Sequence, residues 1–157
     1  VETFPNNYLG WHMGKVGNFE RVSKLSVGIE VCNFGYLDKK GDKYFTYVGT
    51  EVSEDMVYDL GEEFRGHRYW HKYTDKQIES LRQLIEHITK IYPKINIENG
   101  IPRLLNEGVS PIDAFGYNED ANYGRELGLW SHSNCRKDKY DMYPQYELVE
   151  MLRNLIN

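Results

Sequence analysis

Thr74-Asp75-Lys76-Gln77, continued by IESLRQLIEHITKI to Ile91, carries the clearest local signal in the chain. Thr74 is an N-cap residue, and Gln77 three positions on completes a capping box that satisfies otherwise unpaired amide groups. Ile78, Leu81, Leu84, Ile85, Ile88 and Ile91 recur at helical spacing, and Pro93 ends the pattern. A helix with one apolar stripe needs a second layer to cover it. Upstream, residues 25–33 (LSVGIEVCN) form an apolar, β-branched run with one acid, which predicts a buried central strand. Residues 35–43 suggest a turn-rich loop with Lys40-Gly41-Asp42 at a hairpin tip, and Tyr44-Phe45-Thr46-Tyr47-Val48 alternates as a second strand would. No regular structure is expected over the polar residues 51–73. Downstream, residues 95–97 suggest a short strand and residues 111–128 a long polar loop. A closing amphipathic helix begins near Gln145, with Leu148, Val149, Leu152, Leu155 and Ile156 on its buried face. The expected class is α/β, a small mixed central β-sheet flanked by helices, as one domain over residues 1–157.

Charge and composition narrow the partners. A net charge of −5 argues against nucleic acid, whose binders carry a basic face. No run approaches the roughly 18 apolar residues of a membrane span, and residues 1–10 lack the basic start and apolar middle of a secretory leader. The 13 Tyr and 3 Trp supply rings with a polar handle, suited to gripping a sugar or peptide. Cys32, within its apolar run, is expected to be a buried free thiol. Cys135 follows His132 by three residues and is a candidate metal ligand of lower rank than the carboxylate nearby. The chain opens on Val1 and reaches Trp11-His12 without a complete element, which suggests a start inside a domain.

The chemistry concentrates near the C-terminus. Leu129-Trp130-Ser131-His132 is followed by Lys139-Tyr140-Asp141-Met142-Tyr143-Pro144. An imidazole and a carboxylate nine residues apart suit zinc, and a catalytic zinc site takes three protein ligands plus an open position. Two are evident. Lys139 is either a cation beside a developing oxyanion or one of a solvated cluster with Arg136 and Lys137. Glu30 lies inside the expected strand, where a carboxylate is costly unless it is functional or paired with a Lys or Arg; desolvation there would favour a general base.

Trp11-His12-x-Gly14, Ser26-Val27-Gly28-Ile29-Glu30, Tyr73-Thr74-Asp75-x-x-Gln77, Trp130-Ser131-His132 and Lys139-x-Asp141 occur in an order that resembles the zinc-dependent N-acetylmuramoyl-L-alanine amidases. That superfamily includes phage lysozyme-like amidases, bacterial anhydromuramyl-peptide amidases and peptidoglycan recognition proteins. The closing His-x(6)-Lys-x-Asp-x-x-Pro pattern is most similar to phage endolysins. The resemblance runs from about Trp11 to the end and implies an amidase-like fold that takes Zn2+ on His132 and Asp141. It makes Lys139 the cation that supports the tetrahedral intermediate and Glu30 the general base. Trp11 and His12 become residues lining the muropeptide cleft. The implied reaction cleaves the amide between the lactyl group of N-acetylmuramic acid and L-alanine in peptidoglycan. The implied setting is a phage-encoded protein made in the bacterial cytoplasm and acting on the cell wall. Two positions depart from the pattern. Ser23 replaces an Asn that usually precedes the Ser-Ile-Gly-Ile-Glu motif by three residues. The family's first zinc histidine lies on an early strand that this chain would begin after. The alternatives are N-terminal truncation, substitution by His12, or a site that cannot cut. A non-catalytic muropeptide-binding domain or a phage structural module of the same fold is the rival expectation.

Overall fold

The computed structural model describes residues 12–14, 17 and 19–156. Among the described residues five strands form one sheet: β1 (Tyr36–Lys40), β2 (Lys43–Thr46), β3 (Glu51–Val52), β4 (Val57–Phe64) and β5 (His67–His71), in the order β3-β2-β1-β5-β4. The α/β class holds, and every ladder in the sheet is antiparallel. The β1–β2 hairpin turns at Gly41-Asp42, with Gly41 at φ 60° in the first central position, as a tight two-residue turn requires. The expected tip is therefore in place, although residues 36–40 are strand rather than loop.

Residues 51–73, expected to be irregular, contain β3, β4 and β5. The alternation in β4 is interrupted by a register shift between Asp59 and Phe64, with Gly61 at φ 81° inside it, so the periodic signal is broken halfway along. Arg65-Gly66 joins β4 to β5, both residues at positive φ (56° and 80°), the signature of a type I′ turn.

Residues 25–33 do not form the expected buried strand. A strand is defined by its neighbours, and among the described residues none pairs with this segment. It lies as an extended ribbon across the start of α2 (Asp75–Ile91), held where Gln77 Nε2 donates to Cys32 O at 2.8 Å and Asn33 Nδ2 donates to His71 O at 2.7 Å. Ile29 and Val31 turn toward the core while Glu30 and Cys32 face out, the period-two alternation of extended backbone. Cys32 is thus exposed, not buried.

α2 is capped as expected, with Thr74 Oγ accepting from Gln77 N and the Gln77 side chain answering the Thr74 amide. Its stripe is wider than the layer it covers: Ile78, Leu81 and Ile85 are buried, whereas Leu84 and Ile91 remain exposed. Residues 95–97 form no strand. The region 111–128 carries two short helices, α4 (Pro111–Ala114) and α5 (Glu119–Tyr123), N-capped by the side chains of Ser110 and Asn118. α1 (Phe19–Lys24) and α3 (Ile101–Asn106) complete the upstream helices. α6 (His132–Cys135) and α7 (Tyr146–Asn154) follow, the last as expected.

One core joins the sheet to the helices. Trp70 is fully buried, with Phe64, Ile78, Leu81, Ile85, Ile101, Leu105, Leu148 and Leu152 in the same cluster. Rings of Trp70, Tyr143 and Tyr73 stack in sequence at 4.7 and 5.0 Å, linking β5 to the segment that leads into α7. Gln145, also fully buried, satisfies its whole amide. Its Oε1 accepts from Tyr73 N and Tyr143 OH, both at 2.7 Å, and its Nε2 donates to Tyr73 O and Glu147 Oε2, both at 2.9 Å.

Candidate active site

α6 is a single turn, and its end groups have no intrahelical partners of their own. At the front, Ser131 Oγ accepts from Asn134 N while Asn134 Oδ1 accepts from Ser131 N, a reciprocal capping box. Asn134 then donates through Nδ2 to Ala114 O (2.9 Å) and Gly116 O (2.6 Å), and Ser133 Oγ donates to Phe115 O at 2.9 Å. At the back, each carbonyl finds a donor. Arg136 N donates to His132 O, Arg65 to Ser133 O, Asn118 N to Asn134 O, and Asn122 Nδ2 to Cys135 O. Ser133 N donates to Asp141 O at 2.8 Å, fastening the start of the turn to the far end of the loop. A turn too short to be stable alone is fixed by partners from three other parts of the chain.

The frame brings His132 and Asp141 together: His132 Nδ1 lies 3.1 Å from Asp141 Oδ2. That contact holds the Asp141 carboxyl below the usual carboxylate range, with the Lys139 charge adding to the effect and partial burial opposing it. The Asp141 side chain is 54% exposed, so its oxygens open toward solvent. His132 Nε2 is buried and has no hydrogen-bond partner among the described residues. Two ligands on a tetrahedral zinc at about 2.0–2.2 Å stand about 3.3–3.5 Å apart, so the pair, hydrogen-bonded at 3.1 Å, would open by a few tenths of an ångström to become one edge of such a site. Among the described residues no third His, Cys, Asp or Glu completes a group of three. His12 does not enter one: its Nε2 meets Ser26 Oγ at 2.8 Å, and because Ser26 Oγ donates to Val22 O, the imidazole is the donor. The His12 ring also lies against Gly28, where an added Cβ would come within 2.9 Å of it, so Gly28 is required by close approach. Cys135 is buried and its thiol is pushed up to about 12, the opposite of what a thiolate ligand needs.

Glu30 is exposed, so the burial from which its basicity was reasoned is absent, and no Lys or Arg pairs with it among the described residues. It stands at a groove of about 320 Å³ lined in part by Ile29, Val31, Lys76 and Gln77. It nevertheless shares a neighbour with the His132 loop. The buried Tyr73 hydroxyl is pushed up mainly by burial, and further by the charges of both Asp141 and Glu30. Trp11 lies outside the described residues. His67 and His71, at helical spacing in sequence, sit on β5. His67 stacks on Tyr36 at 3.7 Å, and Tyr140, between Lys139 and Asp141 in sequence, packs on both rings.

Sequence reasoning missed the residues that build the frame: Arg65, Asn118, Asn122, Ser133 and Asn134. The one local signal was Ser131-x-x-Asn134, a capping box written with Asn in place of Glu or Gln. Among models of known families, that of N-acetylmuramoyl-L-alanine amidase matches residues 1–141. Neither the curated proteins nor the solved structures give a match. With nine-tenths of its length covered, the chain belongs to the N-acetylmuramoyl-L-alanine amidase family, hydrolases that act on peptidoglycan.

Proposed function

We propose that the chain is a single zinc-dependent amidase domain of the phage endolysin type. It would be made in the bacterial cytoplasm and cut the bond between N-acetylmuramic acid and the L-alanine of the stem peptide. The observation that carries this reading is the His132 Nδ1–Asp141 Oδ2 pair at 3.1 Å, with the Lys139 charge bearing on the same carboxylate. His132 and Asp141 would be two of the three protein ligands that a catalytic zinc takes, and the metal would polarise the scissile carbonyl and lower the pKa of a bound water toward about 7. Lys139 contributes positive charge where the carbonyl oxygen becomes an oxyanion. Glu30 accepts the proton of the attacking water on its carboxylate and returns it to the departing alanine nitrogen, so the amide breaks to a carboxylate and an amine. His12, held by Ser26, borders the substrate side; Trp11 joins it by resemblance alone.

Mass spectrometry of purified peptidoglycan treated with the chain tests this directly. Cleavage should release stem peptides with a free N-terminal alanine and intact glycan strands, stop on chelation, and return with added zinc. His132→Ala and Asp141→Ala should abolish it. Retention of muropeptide on the protein with no new N-terminal alanine, at any zinc concentration, would establish a binding domain instead.

A further inference from the structure

Arg65 occupies a position that its backbone disfavours. A type I′ turn needs positive φ at both central residues, and Asn or Gly accepts this readily. Gly66 does so without strain, but Arg65 stands at φ 56°, where a side chain bearing a Cβ is crowded. A residue kept in such a conformation points to a use for its side chain. Here the guanidinium leaves the hairpin and donates to three carbonyls: Ser133 O at 2.6 Å, Lys137 O at 2.9 Å and, at the limit of bonding, Arg136 O at 3.5 Å. Those oxygens trace the end of α6 and the first residues of the loop that goes on to Lys139 and Asp141. Among the described residues no side chain of β4 or β5 hydrogen-bonds to that loop; the strands reach it only through the His67 ring, which packs on Tyr140 at 5.5 Å.

We propose that Arg65 is a positioning residue for the amidase site, a clamp from the β4–β5 turn that fixes where His132, Lys139 and Asp141 stand relative to one another. The inference rests on the functional reading above only for its consequence in catalysis; the clamp itself is a statement about the loop. A planar guanidinium can satisfy several acceptors at fixed angles, which an ammonium cannot. Ser131 and Asn134 order the front of the turn, and Arg65 orders its exit. With the clamp removed, Ser133 O and Lys137 O turn to water and the loop gains freedom. The His132–Asp141 spacing then becomes an average over many positions.

The test uses Arg65→Gly, which also relieves the positive φ, and Arg65→Lys, which keeps the charge and loses the fork. Residue-resolved hydrogen exchange reads the loop without zinc or substrate. The Ser133 and Arg136 amides, bonded to Asp141 O and His132 O, should exchange roughly tenfold faster or more in Arg65→Gly, with Arg65→Lys between it and the parent. Amides of α2 should keep their parent rates. Cleavage should fall through kcat rather than KM, and zinc affinity should fall with it. Unchanged exchange at Ser133 and Arg136 in folded Arg65→Gly would overturn the clamp. Faster exchange spread equally over α2 and α7 would also overturn it, leaving a general stabiliser. A loosened loop with undiminished cleavage would uphold the clamp and overturn the assignment of the catalytic site to this loop.

Discussion

Replacing Gln145 by Leu should destabilise the protein out of proportion to its small change in volume. The native amide answers the N–H and C=O of Tyr73, accepts the Tyr143 hydroxyl, and donates to Glu147, with no exposure to water. Leucine leaves two buried backbone groups of Tyr73 without partners, at about 1–3 kcal/mol each. The Tyr143 hydroxyl keeps a bond to His71 O at 3.0 Å, and Glu147 is partly solvated, so neither adds much. Burying the leucine side chain offsets part of the loss, about 1.5–3 kcal/mol at most, so the net cost is about 2 kcal/mol. For a domain of this size that is a fall in Tm of roughly 4–8 °C. Urea titration with a fluorescence readout measures the free energy, and a scanning melt the temperature. Gln145→Glu provides the contrast. It keeps an acceptor for the Tyr73 amide but removes both donors and sets a carboxylate beside Glu147, so its stability should improve as the pH is lowered. A loss below about 0.5 kcal/mol for Gln145→Leu would show that Tyr73 finds other partners, and the accounting would be wrong.

Lys139→Ala should lower kcat by about 10²–10³ with little effect on zinc content, whereas Lys137→Ala, whose cation sits over the Tyr117 ring, should be nearly silent. Equal small effects on muropeptide cleavage would remove Lys139 from the chemistry. A thiol-reactive disulfide reagent should modify Cys32 promptly and Cys135 only on unfolding, since the first is exposed and the second is buried with its thiol pushed up to about 12; two fast equivalents would contradict the packing around α6. Because the His132 contact depresses the Asp141 carboxyl, its stabilisation is present above the ordinary carboxylate value of about 4 and is lost as the pH falls through the lower folded value. Melts of Asp141→Asn in chelator should therefore lie below the parent at pH 6, with the gap closing toward pH 3. A pH-independent gap would mean that the pair does not act through charge.

The parts of this fold that could be read from sequence are those specified within a few residues. The Thr74–Gln77 box and its apolar stripe, the Lys40-Gly41-Asp42 tip, and the α7 stripe each carry their own cause. The 25–33 ribbon misled because an apolar, β-branched run reports extended backbone and not the presence of a neighbour to pair with. β4 and β5 were hidden for the reverse reason. Their ladder is regular at Tyr58↔Trp70 and Asp59↔Tyr69, but the irregularity at Gly61 and an Arg-Gly turn erase the signals that announce a hairpin. The His132 and Asp141 pairing followed from residue type and spacing. The frame around it did not, because Arg65, Asn118 and Asn122 reach α6 from separate elements, and each looks like an ordinary polar surface residue where it stands.

The strand order has a consequence for how the chain acquires its shape. β1-β2-β3 is a meander and β4-β5 a hairpin, each closed by short turns and able to form on the microsecond scale of local structure. They meet at one seam, Tyr36↔Trp70 and Leu37↔Tyr69, which joins residues on opposite sides of the whole intervening excursion. Loop closure must be completed there before burial of Trp70 rewards it. Leu37 and Trp70 are therefore the positions where truncation should slow folding most, while changes at Gly41 or Gly66 act earlier, on pieces that are still separate. The speed at which this sheet assembles is set by two residue pairs at its middle rather than by its turns.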